Sequence, residues 1–510
     1  MIRSLWMLDR KHSLLLLLAI FAAAALLRLP NLGRPLSKHH EFVDATTLIP
    51  IQAWRQAGGA AAFHFIPVVN YQHSGDRRPD TGVYMDDKGN QLYMSVGPGS
   101  YILAYFFCQT LHLPAAPVPL RVLNLLWSMT TLLLCFIFFE RLIPPSTNGR
   151  YFRILIACTL FLYSPCMLWF TGNVYHQTAL MMPIVLAALC LMMPMLASAR
   201  NITAARLSAT TLSILLLMYF DWFGAPLCLP VIAYALFRSL KERKYLLLAL
   251  TAAISVLAGT ALIFWQFSSY VGYHHVAVYW RERFLFRGGR SSFTASLHLL
   301  KDVFINLLTD YAPIFLLLLL NTIIRLRNRI PLRLSPDQSR FIFTYTCSLA
   351  TYALVLLNWT AIHDFALVPA SLLLAWIATV SIPPSLPPAR IYGLLLLTLT
   401  LSVFQYYYIN RPGPISRSGM PYDTYAEFGK RLSNIPPAYP VFSNLPEYCP
   451  MCEYYAGRQI TVASNPDSVS AWLAQNGIQK AVWVEASGFR FVKMDTLSAP
   501  PNPTPPTHQP

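Results

Sequence analysis

The sequence predicts a polytopic α-helical membrane protein with a large first outer loop and a small C-terminal α/β domain. Three observations carry this. Of the 510 residues, 55% are hydrophobic and 12% are charged, about half the charged share of an ordinary soluble domain. The apolar residues fall in long runs, each near the roughly 20 residues that a membrane span needs. The net charge of +17 lies between those runs, not on polar faces of the kind that grip nucleic acid. A soluble globular enzyme is excluded, as is disorder outside the ends, and no nucleic-acid partner is expected.

The first run, 13–29, follows Arg10 and Lys11. A signal peptide competes with this reading, but no small-x-small cleavage site follows before Arg28, which favours an uncleaved helix. Further runs lie at about 118–139, 154–170, 177–197, 207–220, 223–237, 245–267, 303–324, 341–361, 365–382 and 391–408. The run at 96–113 is ambiguous, and the positive-inside rule decides it. If it does not span, the short cytoplasmic segments (1–12, 140–153, 198–206, 238–244, 325–340, 383–390) hold 18 Lys/Arg against 4 acidic residues. If it spans, those clusters face outward. The first arrangement is adopted, with about 11 spans, and 96–113 becomes a helix in the outer interface.

Three regions follow: 1–410 as the membrane domain with an outer loop at about 30–117, 411–497 as an outer-side soluble domain, and 498–510 as a disordered Pro-rich tail. Within the soluble domain, 439–443, 459–462 and 481–485 read as strands and 467–476 as a helix. Most of the nine cysteines sit in apolar runs as core residues. Cys449 and Cys452 instead frame Pro450-Met451. A local disulfide or inert thiols suit that spacing better than redox chemistry.

With this topology the unusual polar residues gather on the outer side, where ionisable groups near membrane depth are functional candidates. They are His39-His40-Glu41 with Asp44, Asn173 to Gln177 with His176, Asp221-Trp222, the run Arg281, Arg283, Arg287 and Arg290, and His363-Asp364. Each has a structural alternative. Glu41 or Asp44 suits a helix cap, His176 and His363 suit solvated turns, and the arginines suit lipid anchors. Together the groups suit glycosyl transfer from an anionic lipid donor. A carboxylate such as Glu41 takes the proton from an acceptor hydroxyl. The arginines, with His363, meet the charge developing on a leaving phosphate. Tyr71, Tyr84, Tyr93 and Tyr101 are candidates for stacking on sugar faces or anchoring at the interface.

These motifs also carry a family resemblance. Leu29-Pro30-Asn31-Leu32-Gly33 with His39-His40-Glu41, Gly97-Pro98-Gly99-Ser100-Tyr101, Asn173 to Gln177, Asp221-Trp222 and His363-Asp364-Phe365 stand in an order and spacing that resembles GT-C glycosyltransferases. The likeness, over about 10–410, is to the protein O-mannosyltransferase and lipid A aminoarabinose transferase type and its bacterial relatives. It implies the GT-C fold, a polyprenyl-phosphate sugar donor, inverting transfer and a periplasmic active site on a bacterial inner-membrane protein with a cytoplasmic N-terminus. Glu41 takes the second place of the family's acidic pair, and His40 stands at the first, where Asp is usual. The base is therefore open among Glu41, His40 and Asp44. Asp364, His176, Asp221 and Tyr93 are further site candidates. No cofactor is indicated, and a divalent metal is left open. The alternatives are a transporter or flippase for lipid-linked saccharides and a polysaccharide ligase or polymerase, but paired repeats with broken helices, which mark many transporters, are not evident.

Overall fold

Asp9 caps the first helix, its carboxylate accepting from the His12 amide, and α1 (Arg10–Leu32) runs to a proline in its last turn. The computed structural model describes residues 8–70, 84–289, 292–409, 424–444, 450–487 and 490–499; the expected tail from 500 on, Tyr71, Arg290 and Cys449 lie outside them. After α1 come α2 (Phe42–Gln56), the short strands β1 (Tyr84–Met85) and β2 (Gln91–Leu92), and α3 (Gly99–Thr110). The last is the helix expected at the outer interface.

Next are α4 (Pro117–Leu142), α5 (Arg150–Leu162), α6 (Pro165–Phe170), α7 (Gln177–Leu180), α8 (Met182–Ala197), α9 (Ala204–Phe220) and α10 (Gly224–Ser239). The expected span 154–170 is thus two helices. Pro165 lacks an amide proton to continue α5, and the Ser164 hydroxyl restarts the chain by accepting from the Met167 amide at 3.3 Å. Buried Arg28 then donates to the carbonyls of Met167 and Leu168 and to Thr171 Oγ1, satisfying the C-terminal end of α6.

The membrane region closes with α11 (Lys244–Val271), α12 (Tyr273–Gly288), α13 (Phe293–Arg327), α14 (Pro336–Val355), α15 (Leu357–Ile362), α16 (Ala370–Ser381) and α17 (Pro388–Ile409). Helix α12 is a correction, because its segment was expected as a loop. Its residues are too polar for a hydropathy scan, yet Val276, Tyr279 and Arg287 share one helical face and are buried. Helix α13, at 35 residues, starts well before the expected 303. The expected span 341–361 breaks at Leu356, between α14 and α15, and 364–367 is a 3-10 turn rather than the start of a span. Among the described residues six helices are long and apolar enough to cross a membrane, and α9, α10 and α16 are shorter apolar helices. The chain is a multi-pass membrane protein.

The C-terminal segment contributes α18 (Thr424–Ser433), β3 (Val441–Ser443), α19 (Pro450–Ala456), β4 (Thr461–Val462), α20 (Pro466–Asn476), β5 (Lys480–Ser487) and β6 (Arg490–Ser498). The three expected strands and the helix are present, and α18, α19 and β6 are additional. The sheet order is β4-β3-β5-β6, with β3 parallel to β4 and β5 and β6 antiparallel to β5. Phe442, Trp483, Val469 and Leu473 form its core against α20.

Two compact units emerge: 1–33, 94–114 and 118–409, and 34–93, 115–117 and 410–510. Most of the first outer loop therefore folds with the C-terminal segment. Helix α19 packs on α2, the Tyr455 hydroxyl accepts from the Leu36 amide at 2.6 Å, and the Tyr454 hydroxyl donates to the Ala115 carbonyl. Cys452 is buried on α19.

Candidate functional site

In the first unit, α12 holds the loop leading into α3. Ser95 is its anchor: its hydroxyl lies 2.9 Å from the Tyr279 hydroxyl and accepts from Arg283 Nε at 3.1 Å. Its carbonyl accepts from Trp222 Nε1 at 2.7 Å and Arg287 Nη1 at 3.1 Å. Trp280 Nε1 donates to the Met94 carbonyl. The loop comes this close because Gly97 and Gly99 lie against the end of α9, where a Cβ on Gly97 would stand 2.2 Å from the Tyr219 carbonyl oxygen.

Asp221 interrupts α9 and α10 and is buried. Its carboxylate accepts from the Phe223 amide at 2.9 Å, a local turn that the break needs. Burial pushes its pKa up to about 6, opposed by the Phe223 amide, the Arg287 charge and the Tyr352 hydroxyl. Arg287 is also buried, with its guanidinium over the Trp359 ring at 4.4 Å, a cation–π contact in a site largely shielded from water.

Beside them is a cavity of about 470 Å³. Arg281, Arg283 and Arg287 line one part, and Trp222, Phe284, Val355 and Leu356 are among its apolar walls. Cations in an apolar slot suit an anionic head on an apolar tail.

A line of rings runs on from Arg287 to the turn before α7. Trp359 lies 4.1 Å from the His363 ring. His363 stacks on Phe365 at 4.8 Å and 12°, and Phe365 meets the His176 ring at 3.9 Å. His176 Nδ1 accepts from the Thr178 amide and caps α7, so His176 is a buried, oriented ring rather than a solvated turn residue. Asp364 is buried at the start of the 3-10 turn. Asp221, Arg287, His363 and His176, expected from four separate loops, thus belong to one connected cluster. Arg281 and Arg283 line the cavity, and Arg281 is exposed. Tyr279, Trp280, Tyr352 and Ser95 are the additions. The spacing of Val276, Tyr279, Arg283 and Arg287, all four buried or half-buried, was the available signal for this face.

The second unit carries the acidic segment. Glu41 is fully buried at the N-cap of α2. Both its oxygens pair with the Arg34 guanidinium, and Oε2 also accepts from the Ser37 and Lys38 amides at 2.8 Å each. Burial, and Arg34 nearby, lower Lys38 to about 8 against the pull of Glu41. Asp44 is buried in the first turn of α2, where the helix dipole favours an acid. His40 has φ 57°, a left-handed conformation that costs a non-glycine residue about 1–2 kcal/mol. Tyr93 is half-buried, its amide bonded to the Pro67 carbonyl.

No protein-family model matches the chain, and no curated protein matches it in sequence. Among solved structures it is similar to ArnT from Cupriavidus metallidurans bound to undecaprenyl phosphate, at 12% identity and TM-score 0.60 over 96% of this chain and 98% of that one. It is also similar to the archaeal oligosaccharyltransferase AglB from Archaeoglobus fulgidus, in complex with an inhibitory peptide and a dolichol-phosphate. That match has 12% identity and TM-score 0.53 over 92% of this chain and 69% of that one. The chain has the GT-C fold.

Proposed function

We propose that this protein is a membrane glycosyltransferase that moves a sugar from a polyprenyl-phosphate donor to an acceptor on the extracytoplasmic side. The observation that carries the reading is the apolar-walled cavity with Arg281, Arg283 and Arg287 on its lining. The similar ArnT structure holds undecaprenyl phosphate and the AglB structure a dolichol-phosphate, and a ligand of that chemistry suits this slot.

In the reaction, the acceptor oxygen attacks the anomeric carbon as the bond from that carbon to the phosphate oxygen breaks. The lipid phosphate leaves with the bonding electrons, and the acceptor proton passes to a base. Arg283 and Arg287 stabilise the leaving phosphate; their forks are already oriented by Ser95, so little reorganisation is needed. Trp359, beneath Arg287, keeps water from that face.

The base candidates are Glu41, His40 and Asp44, and the engagement of Glu41 by Arg34 and two amides suits a role in the shape of its loop. Removing the base lowers kcat by about 10²–10⁴, and Asp44→Asn tests one of the other two. His40→Ala tests the other open candidate.

The experiment is transfer by the purified protein in proteoliposomes, using radiolabelled polyprenyl monophosphate sugars and lipid extracts as acceptors. Arg283→Ala with Arg287→Ala should remove transfer. Undiminished transfer by that variant, or transfer only from a pyrophosphate donor, would overturn the reading. Cysteine labelling at Asn90 from outside and at Arg329 from inside checks the orientation.

A further inference from the structure

A second basic cavity, of about 520 Å³, lies at the other end of α14 from the arginine slot just described. Ser335 and Gln338, at the N-terminus of α14, line it, whereas Tyr352 and Val355 line the first. The 14 residues from Gln338 to Tyr352 rise about 21 Å along the helix. The charge distribution assigns the second cavity to the cytoplasmic side.

Three arginines line it, Arg153, Arg325 and Arg333, and among the described residues no Asp or Glu does. They are not equivalent. Arg325 is committed to structure, donating to the carbonyls of Val380, Ile382 and Pro331, which satisfies the end of α16. Arg153 has its Nε buried with no hydrogen-bond partner, and the charge of Arg325 acts against its own. Arg333 extends from the 328–335 turn and is exposed. The like charges of Arg153 and Arg325 repel, and an unpartnered buried donor costs free energy. An anion resolves both.

We propose that this cavity binds the phosphate head of an anionic membrane lipid, independently of the transfer site. Arginine forks suit phosphate oxygens. The remaining wall, with Ile143, Ile330, Val380 and Ile382, suits acyl chain rather than a fully hydrated ion. The ligand acts as a structural clamp that joins the α4–α5, α13–α14 and α16 ends.

The test uses the full chain in phosphatidylcholine nanodiscs, with and without a minor fraction of phosphatidylglycerol, read by thermal unfolding and by native mass spectrometry of retained lipid. Phosphatidylglycerol should raise Tm by about 3 °C in the wild type and remain bound. Arg153→Gln with Arg333→Gln should lose the shift and weaken retention about tenfold or more. Arg333→Gln alone, at an exposed position, guards against misfolding and should weaken retention in part. Arg153→Lys should keep much of it. An equal phosphatidylglycerol shift in the wild type and the double variant would overturn the site. A saturable shift with inorganic phosphate alone, absent from the double variant, would overturn the lipid assignment in favour of a soluble anion.

Discussion

Glu41 and Asp221 are both buried acids on the outer side of the sequence-based topology, and they are held in opposite ways. Glu41 is matched by a full positive charge and two backbone amides. Asp221 has one amide, one hydroxyl and a cation that is shared with Ser95 and Trp359. The first is an ion pair locked by its loop. The second is an under-compensated acid that takes up a proton near neutral pH. Burial alone therefore says little about whether a carboxylate is chemically available, and the number of donors that meet it says more.

Removing one side of the Glu41 pair gives the largest effect. Glu41→Ala leaves the Arg34 charge buried and should cost about 3–5 kcal/mol, seen as loss of folded protein in detergent by size exclusion and thermal unfolding. Glu41→Leu with Arg34→Met should recover much of that stability, which a role in chemistry would not predict. Loss of transfer with an unchanged Tm in Glu41→Ala would instead restore Glu41 as the base.

At the other acid, Arg287→Ala should lower transfer by about 10²-fold or more. Arg287→Lys should not rescue it, because lysine cannot bond Ser95, lie flat on Trp359 and present a fork at once.

Asp221 gives a pH signature of opposite sign to an ordinary ion-paired acid. Its folded pKa of about 6 lies above the unfolded 3.8. The folded state thus binds more protons between these values, and stability falls as pH rises from about 4 to 6. Above that window the cost levels off at about 3 kcal/mol. Asp221→Asn should flatten this slope in Tm against pH. A slope that persists would assign the titration elsewhere. Gly97→Ala reaches the arginines of the slot by sterics. Its methyl would stand 2.2 Å from the Tyr219 carbonyl oxygen, and the loop that yields carries Ser95, so kcat for transfer should fall together with the orientation of Arg283 and Arg287.

Hydropathy and charge made most of the membrane region legible, because long apolar runs and basic loops are local signals. The breaks at Ser164-Pro165 and Leu356 were less so. Pro165 was visible, but an apolar run continues straight through it. Helix α12 was missed because its buried face is built from Tyr and Arg, which score as polar. The candidate residues stood in the sequence as separate motifs, and the packing of Asp221, Arg287, His363 and His176 into one cluster was not legible there. Arg34 lies seven residues before Glu41 in a non-helical turn, and no periodicity announces that pair. Nor does local sequence tell that α2 packs on α19, some four hundred residues later.

Helix α16 has 12 residues, a rise of about 18 Å, against a hydrocarbon core of about 30 Å. With its Ser381 end level with one bilayer surface, its other end stops roughly 12 Å short of the opposite surface. The turn that carries His363 and Asp364, and through Trp359 the Arg287 slot, then sits at lipid depth. On the proposed function, a donor with a long isoprenoid tail would enter sideways, its phosphate sinking roughly 12 Å below that surface while the tail stays among the acyl chains. The work of lifting that tail out of the membrane never arises.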